Sequence, residues 1–418
     1  MADKSLRFAG DVQINEIVIR SLNGQVANIT NQVEAVNVYE DLFSSYICAS
    51  ITLIESVDYI NLFPFCGEEF VTIDIDTPGL EVPIKGKFYI TKIDNYIRTK
   101  EREAAYILRC VSEEWYIDAN KKINRSLKGN VAEIAALLLS KEGLPTTKKV
   151  NIEKTINSTK FIANYWSPSK CLNYATTNAI NLNNSPSYIF FENRNGFNFI
   201  SIDSLVKAKE KFSFIKDNYS RDKTNSSSAA NFNEDFKRMI SFDVPIISDY
   251  IDNINNAQLK SRMITHDITT KRYTAVDYSV KTDKNSPSLL NNYPVYSKRA
   301  LVSAASNIFH LPKYTSNFTN YSDVTNAKTV QRRMSTLQLL KKYTMIIEVL
   351  GRTDYTVGMV VDVNIPKATQ ITKEDDDKDM ILSGKYLVSA INHTIDRTRH
   401  TCTMELIKNS LLIDLDKR

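Results

Sequence analysis

The strongest constraint in this sequence is a strand order that occurs twice. Gly86-Lys87-Phe88-Tyr89-Ile90-Thr91-Lys92-Ile93-Asp94-Asn95 is matched by Gly384-Lys385-Tyr386-Leu387-Val388-Ser389-Ala390-Ile391-Asn392-His393. A charged tip follows each, at 98–103 and 396–400, and then an outgoing strand, at 105–111 and 401–407. Upstream, Val71, Ile73 and Ile75 match Val361, Val363 and Ile365, and 46–54 corresponds to 343–350. The copies lie roughly 290 residues apart, whereas a solenoid repeats every 20–50 or so. This spacing predicts a duplicated barrel with other material inserted between the copies.

Periodicity supports strands in both copies. Ile47, Ala49, Ile51 and Leu53 alternate with Cys48, Ser50 and Thr52, and Val71, Ile73 and Ile75 alternate with Thr72, Asp74 and Asp76. One face of each is apolar, as in a half-buried antiparallel sheet closing into a small barrel. Between the copies the pattern changes. Asn130 with Glu133 caps a predicted helix over 131–139, with Gly143 as its stop. Ser167 followed by Pro168 starts another, whose Leu172, Ala175 and Ala179 share a face. The runs 188–192 and 197–202 form a hairpin around Asn195-Gly196, both of which tolerate positive φ. Residues 220–233 are a polar loop, 260–280 supply strands and 282–325 are loop-rich. A helix over 326–342 follows, with Val330, Met334, Leu337 and Leu340 on its apolar side. The expected fold class is mainly β with α+β parts: two similar antiparallel, tube-like β-barrels in one chain plus inserted smaller α+β domains. The expected domains are 1–118 for the first barrel, 119–218 for an α+β helix-hairpin unit, 234–259 with 326–412 for the second barrel, and 260–325 for a loop-rich β insertion.

Composition narrows the function classes. With 418 residues, 43% hydrophobic and 24% charged, the chain has the balance of a globular protein. No run of about 18 apolar residues occurs, so no membrane anchor is expected. Met1-Ala2-Asp3-Lys4 opens no signal peptide, and a cytosol is the default compartment. Lys+Arg number 53 against 48 Asp+Glu, with only short clusters such as Lys121-Lys122 and Lys341-Lys342, so no specific nucleic-acid partner is expected. The cysteines, Cys48, Cys66, Cys110, Cys171 and Cys402, contain no C-x-x-C pair and indicate no thiolate zinc site. Cys48, Cys110 and Cys402 lie in apolar runs and read as small buried hydrophobes.

A search for chemistry finds little. Phosphate-binding glycine loops, a zinc-protease helix and a nucleophile elbow are all missing. Of the histidines His266, His310, His393 and His400, only the last two are near each other, on opposite arms of a predicted hairpin. A metal pair there is weighed against satisfied or solvent-facing rings, and the latter is the reading adopted. The acidic run from Glu374 to Asp379 lacks the glycine and distal glutamate of a calcium loop and reads as a solvated tip. Trp166 and the aromatics from Tyr188 to Phe191 read as core rather than a base-stacking platform. No catalytic, cofactor-binding or metal-binding residue is assigned, no cofactor is expected, and the chain is not expected to be an enzyme.

The layout resembles the central hub protein of the baseplate of contractile-tailed bacteriophages, and is similar to the hub part of type VI secretion spikes. Three stretches carry the resemblance. One is Trp166-Ser167-Pro168 with Leu172 and Ala175, leading to Tyr188, Glu192, Gly196-Phe197 and Ile200-Ser201-Ile202-Asp203. Another is 257–269, which contains His266. The third is the helix 330–340 into the strand 343–349, then Thr356-Val357-Gly358-Met359 and 385–392. The resemblance implies a homotrimer whose six similar barrels match a six-fold tail tube while its other face fits a three-fold spike. It implies no catalytic residues. It names as partners the chain itself, the tail tube protein or a tube initiator and the central spike protein, with the tape-measure and baseplate wedge proteins as further candidates. It implies a place in the virion tail baseplate after assembly in the host cytoplasm. As the sequence ends at Arg418, soon after the second barrel, the spike is expected on a separate chain. The alternatives are a carbohydrate-acting tail-associated hydrolase, the hub of a non-phage contractile injection system, and a single-strand nucleic-acid binder.

Overall fold

A computed structural model describes residues 6–21, 23–63, 65–216, 232–246, 258–267, 270–283, 287–303, 307–313, 326–368 and 378–417. Its first part is mainly strand, with a one-turn helix at Tyr59–Leu62: β1 Gln13–Arg20, β2 Val26–Asn28, β3 Val33–Asp41, β4 Cys48–Glu55, β5 Phe70–Asp76, β6 Ile84–Lys100 and β7 Glu103–Ser112. Alternation drives these strands. Ile17, Ile19, Val36, Val38, Ile51, Leu53, Val71, Ile73 and Leu108 all point into one buried core, while the residues between them face outward.

An α+β unit follows, with β8 Ile123–Asn130, β9 Val150–Ile152, β10 Ser158–Trp166, β11 Tyr188–Asn193 and β12 Gly196–Ser201. Its helix Val131–Leu138 begins where the Asn130 side chain accepts from the Ala132 N–H, and Pro168–Asn178 begins where Ser167 accepts from Lys170. Cys171, Leu172, Ala175 and Ala179 are fully buried against Tyr188, Phe190 and Phe199. The chain then adds β13 Phe212–Ile215 and β14 Met239–Ile246. An insertion follows, with β15 Lys260–Asp267, β16 Arg272–Ser279, β17 Tyr293–Pro294, β18 Asn307–Lys313 and the helix Asn326–Leu340. Last come β19 Tyr343–Leu350, β20 Val360–Asn364, β21 Gly384–Asp396, β22 His400–Lys408 and β23 Ser410–Leu411.

The duplication is visible in the ladders. The first part pairs in the order β3-β4-β7-β6-β5-β1 and the last in the order β14-β19-β22-β21-β20-β13. The same relation between chain order and spatial order therefore recurs in both copies. Even the irregularities recur: β6 bulges between Ile90 and Lys92 and β21 between Val388 and Ala390. Likewise β3 bulges between Val33 and Ala35 and β14 between Met239 and Ser241. A bulge flips the side chains beyond it, so the two shared bulges keep one register for both copies as far as Asp243, beyond which β14 has a further bulge that β3 lacks. One pairing differs: β1 is antiparallel to β5, but β13 is parallel to β20. Each copy wraps its own core, the second around Met345, Ile347, Val361, Leu387, Met404 and Leu406. The first sheet curls without full closure, since among the described residues no ladder joins β2 to β3, whereas in the second an isolated bridge joins Ile215 of β13 to Arg238, next to β14.

Four local expectations change. The helix expected to stop at Gly143 ends at Leu138, and Gly143 sits in the next turn, where a Cβ would lie 2.0 Å from the Leu138 carbonyl oxygen. The β11–β12 turn is Arg194-Asn195, not Asn195-Gly196; of these only Gly196 has positive φ, and it abuts the Lys149 carbonyl. Cys48 is exposed, because its place on β4 puts it on the outer face, while Cys110 and Cys402 are buried as expected. In the helix Asn326–Leu340, Val330, Met334 and Leu337 are only half-buried. Gln331, Ser335 and Leu339 face inward instead, because Gln331 and Ser335 donate to the carbonyls of Ser261 and Gln258. The 220–231 part of the polar loop and the acidic residues 374–377 lie outside the described residues.

Candidate ring-forming strand edges

The two copies are joined by one strand pair. β21 has 13 residues and β20 only five, so β21 outruns its neighbour. Its first residues pair with β20, and Ala390 to Asp396 then pair antiparallel with Asp41 to Ala35 of β3. This contact fuses the copies into one 13-stranded sheet.

The joint is held from behind by the β11–β12 hairpin. Glu192 on β11 accepts from the Ile47 N–H at 3.0 Å and pairs with Lys148, which also pairs with Glu114. That anchors the turn, and Arg194 reaches from it to Glu40 on β3, with Nε 3.1 Å from Oε1. The Glu40 carboxylate also accepts from the Thr356 hydroxyl at 2.6 Å and the Val357 N–H at 3.2 Å. Arg194 donates in turn to the Tyr355 carbonyl. Burial raises the Glu40 carboxyl above its ordinary range, and the Arg194 guanidinium and these donors oppose the rise. Across the ladder the Thr394 hydroxyl donates to Asn37 Oδ1 at 2.9 Å.

The equivalent of this joint is open at both ends of the chain. β6 corresponds to β21, and with 17 residues it outruns the seven of β5. From Thr91 onward it pairs only with β7, and its other edge has no strand partner among the described residues. β14 corresponds to β3 and pairs only with β19. The molecule thus makes one β21–β3 contact and leaves a β6-type edge and a β14-type edge unpaired at opposite ends of its sheet. Long open edges are templates for another strand unless charge or proline blunts them. Here Tyr96 and Ile97 on β6 and Ile240 on β14 are exposed. Lys92 and Arg109 hold Asp94 in ion pairs on the wet face, which lower the Asp94 carboxyl.

Pro245 does not block the β14 edge. The Leu42 N–H just after β3 donates to Ser389 of β21, so the alternate residues Glu40, Val38 and Val36 aim their N–H groups at that partner. On β14, Phe242 is the equivalent of Val36, and Ile246, opposite Thr344, is the equivalent of Tyr39, opposite Cys48, so Val244 and Pro245 together fill the place of Val38. There the β14–β19 register is already broken between Asp243 and Ile246.

No site residue was assigned from sequence, and these edges lie at positions that periodicity alone does not mark. Of the residues weighed for chemistry, Tyr188 and Phe190 are core of the α+β unit and Phe191 core of the second barrel, with Trp166 packed against the former. His393 and His400 meet, and Cys402 joins them in a buried cluster. His266 and His310 lie on β15 and β18, in the inserted sheet, away from it.

No family model matches the chain, and no curated protein sequence does either. Solved structures do. A tail protein from Neisseria meningitidis MC58 superposes with TM-score 0.55 at 12% identity, covering 94% of this chain and 96% of that one. The 43 kDa tail protein of prophage MuSo2 from Shewanella oneidensis gives 0.54 at 11% identity, covering 94% and 98%. At such identities the likeness concerns architecture, and it spans nearly the whole of each chain. The chain has the fold of phage tail proteins.

Proposed function

We propose that this protein is the baseplate hub of a contractile phage tail, a homotrimeric ring with pseudo-six-fold symmetry that adapts a hexameric tail tube to a trimeric central spike. One observation carries the reading: a β21–β3 joint inside the chain, with the matching halves open at its two ends. Three copies repeating that joint as β6 against β14 of the next copy alternate internal and external joints around a closed ring. Transferring the β21–β3 register through the ladder equivalences sets Asp94 opposite Ile246 and Asn95 opposite the Val244-Pro245 bulge of the neighbouring copy. Beyond Asn95, whose φ is +54°, β6 bulges and later partners shift by one residue. In this reading the chain performs no chemistry. Its partners are itself, the tube and the spike, and its place is the tail of the virion.

Light scattering on the full chain tests the ring, with Val244→Pro as the perturbation. That substitution removes an N–H from the open edge and none from the β14–β19 ladder. The native chain should run at three chain masses and the variant at one, with the same circular dichroism. A native chain that stays monomeric with tube and spike proteins added, or a variant that trimerises as well as the native chain, overturns the proposal.

A further inference from the structure

His393, His400 and Cys402 converge where the two copies meet. His393 on β21 is the ladder partner of Cys402 on β22, and His400 lies two residues before Cys402, on the same face. All three are wholly buried. His393 Nδ1 and His400 Nε2 are 3.0 Å apart, and Cys402 Sγ is 3.3 Å from the first and 3.4 Å from the second. Metal–nitrogen bonds of about 2.0 Å and metal–sulfur bonds of about 2.3 Å in tetrahedral geometry set donors roughly 3.3–3.5 Å apart. The triangle is within a few tenths of an ångström of that.

Hydrogen bonding alone serves the cluster poorly. An imidazole nitrogen carries either a proton or a lone pair, so only one N–H can lie between the two rings. The far nitrogens, His393 Nε2 and His400 Nδ1, make no hydrogen bond of ordinary geometry. The surroundings suit ligation. The backbone of Tyr355 offers His393 an acceptor and the Arg352 N–H offers Cys402 a donor. The cover is close: the His400 backbone N–H donates to the Gly10 carbonyl at 2.9 Å, and a Cβ on Gly351 would lie 2.2 Å from His400 Cγ.

We propose that His393 Nδ1, His400 Nε2 and Cys402 Sγ bind a thiophilic d10 metal ion, Zn²⁺ or Cu⁺, that staples the β21–β22 hairpin at the joint between the two sheets. On binding, the Cys402 S–H bond breaks, its proton goes to solvent and a sulfur–metal bond forms, with no change of oxidation state. Soft thiolate and imidazole donors select these ions. The inference does not depend on the ring.

The test expresses the full chain in medium supplemented with Zn²⁺ or, separately, copper, and measures metal by mass spectrometry after dialysis against chelator. Growth with Co²⁺ supplies a spectroscopic probe, a thiolate-to-cobalt charge-transfer band. One ion per chain is expected, with Cys402→Ser lowering occupancy at least about tenfold and Cys171→Ser leaving it unchanged. Retained zinc or retained copper identifies the ion. Less than about a tenth of an ion per chain under every supplement, with no charge-transfer band, overturns the proposal, as does equal occupancy in Cys402→Ser. Should Cys402→Ser fail to fold, the native stoichiometry and the cobalt band decide.

Discussion

Replacing Arg194 by alanine should loosen the joint between the two sheets, and its cost follows from what the guanidinium leaves behind. Arg194 is 9% exposed and Glu40 wholly buried. Without the guanidinium, Glu40 keeps the Thr356 hydroxyl, the Val357 N–H and the backbone N–H of residue 194. Stranding one partner of a buried ion pair costs about 3–5 kcal/mol. The carboxyl can escape part of that by taking a proton, so the lower end, about 3 kcal/mol at pH 8, is expected. The pH dependence has a definite sign. Burial raises the folded-state value of Glu40 above 4.5, so its contribution is fully present below 4.5 and is lost as pH rises through the folded value. Removing the cation raises that value further and deepens the loss. The gap between wild type and Arg194→Ala should therefore widen from pH 5 to pH 8.

Urea unfolding followed by fluorescence of Trp115 and Trp166 measures this, with Glu40→Gln and the double variant completing a cycle. The double variant should be more stable than the sum of the single losses predicts, by at least about 1.5 kcal/mol, since no charge is left stranded. A loss below about 1 kcal/mol at pH 8, a cost that grows on acidification, or strict additivity refutes the reasoning.

Further outcomes follow from other residues. Both buried histidines have depressed folded-state values, so they contribute stability above about pH 6.5 that is lost as pH falls; the metal-free chain should weaken toward about 2.7 kcal/mol per pH unit below pH 6, and a flat urea midpoint between pH 5 and 6.5 refutes this. Gly196→Ala should destabilise the α+β unit by more than about 2 kcal/mol, because φ is +121° and the new Cβ would lie 2.0 Å from the Lys149 carbonyl; amide exchange should rise first along β9 and β12. Leu108→Ala and Met404→Ala truncate equivalent core positions, and each should cost about 2–5 kcal/mol, with exchange rising mainly in its own copy.

The duplication was legible because β6 and β21 keep a shared Gly-Lys start and the same alternation, and each is followed by a charged tip. The β3–β14 match was not. Val33-Glu34-Ala35-Val36-Asn37-Val38-Tyr39 and Met239-Ile240-Ser241-Phe242-Asp243-Val244-Pro245 share little beyond one valine, and a bulge conceals the phase of each. The helix Asn326–Leu340 misled because its inward face is chosen by hydrogen bonds to strand carbonyls, which hydrophobic spacing does not encode. The buried triad had a usable signal. With a hairpin tip at 397–399, His393 falls opposite Cys402 and His400 shares its face, so H-x6-H-x-C places three donors together. Cys402 lies in an apolar run, which conceals it as a third donor beside the two histidines.

Equivalent geometry does not mean equivalent chemistry at the two kinds of joint. Inside the chain, Glu40 can be buried because Arg194, Thr356 and Val357 meet it as the chain folds. A strand edge awaiting another molecule must stay in water until the partner arrives, and a buried charge there would have no mate. On β14, Phe242 and Val244 carry no charge. On β6 the polar residues face solvent instead, and Asp94 is neutralised by Lys92 and Arg109 of its own chain rather than held ready for a partner. In the proposed ring, an edge built this way relies on main-chain hydrogen bonds and the exposed Ile97 and Ile240, not on ion pairs. Assembly of the free chain should accordingly vary little between low and high salt. A trimer that dissociates steeply as sodium chloride is raised, measured by sedimentation velocity, would show that charge rather than strand pairing closes the ring.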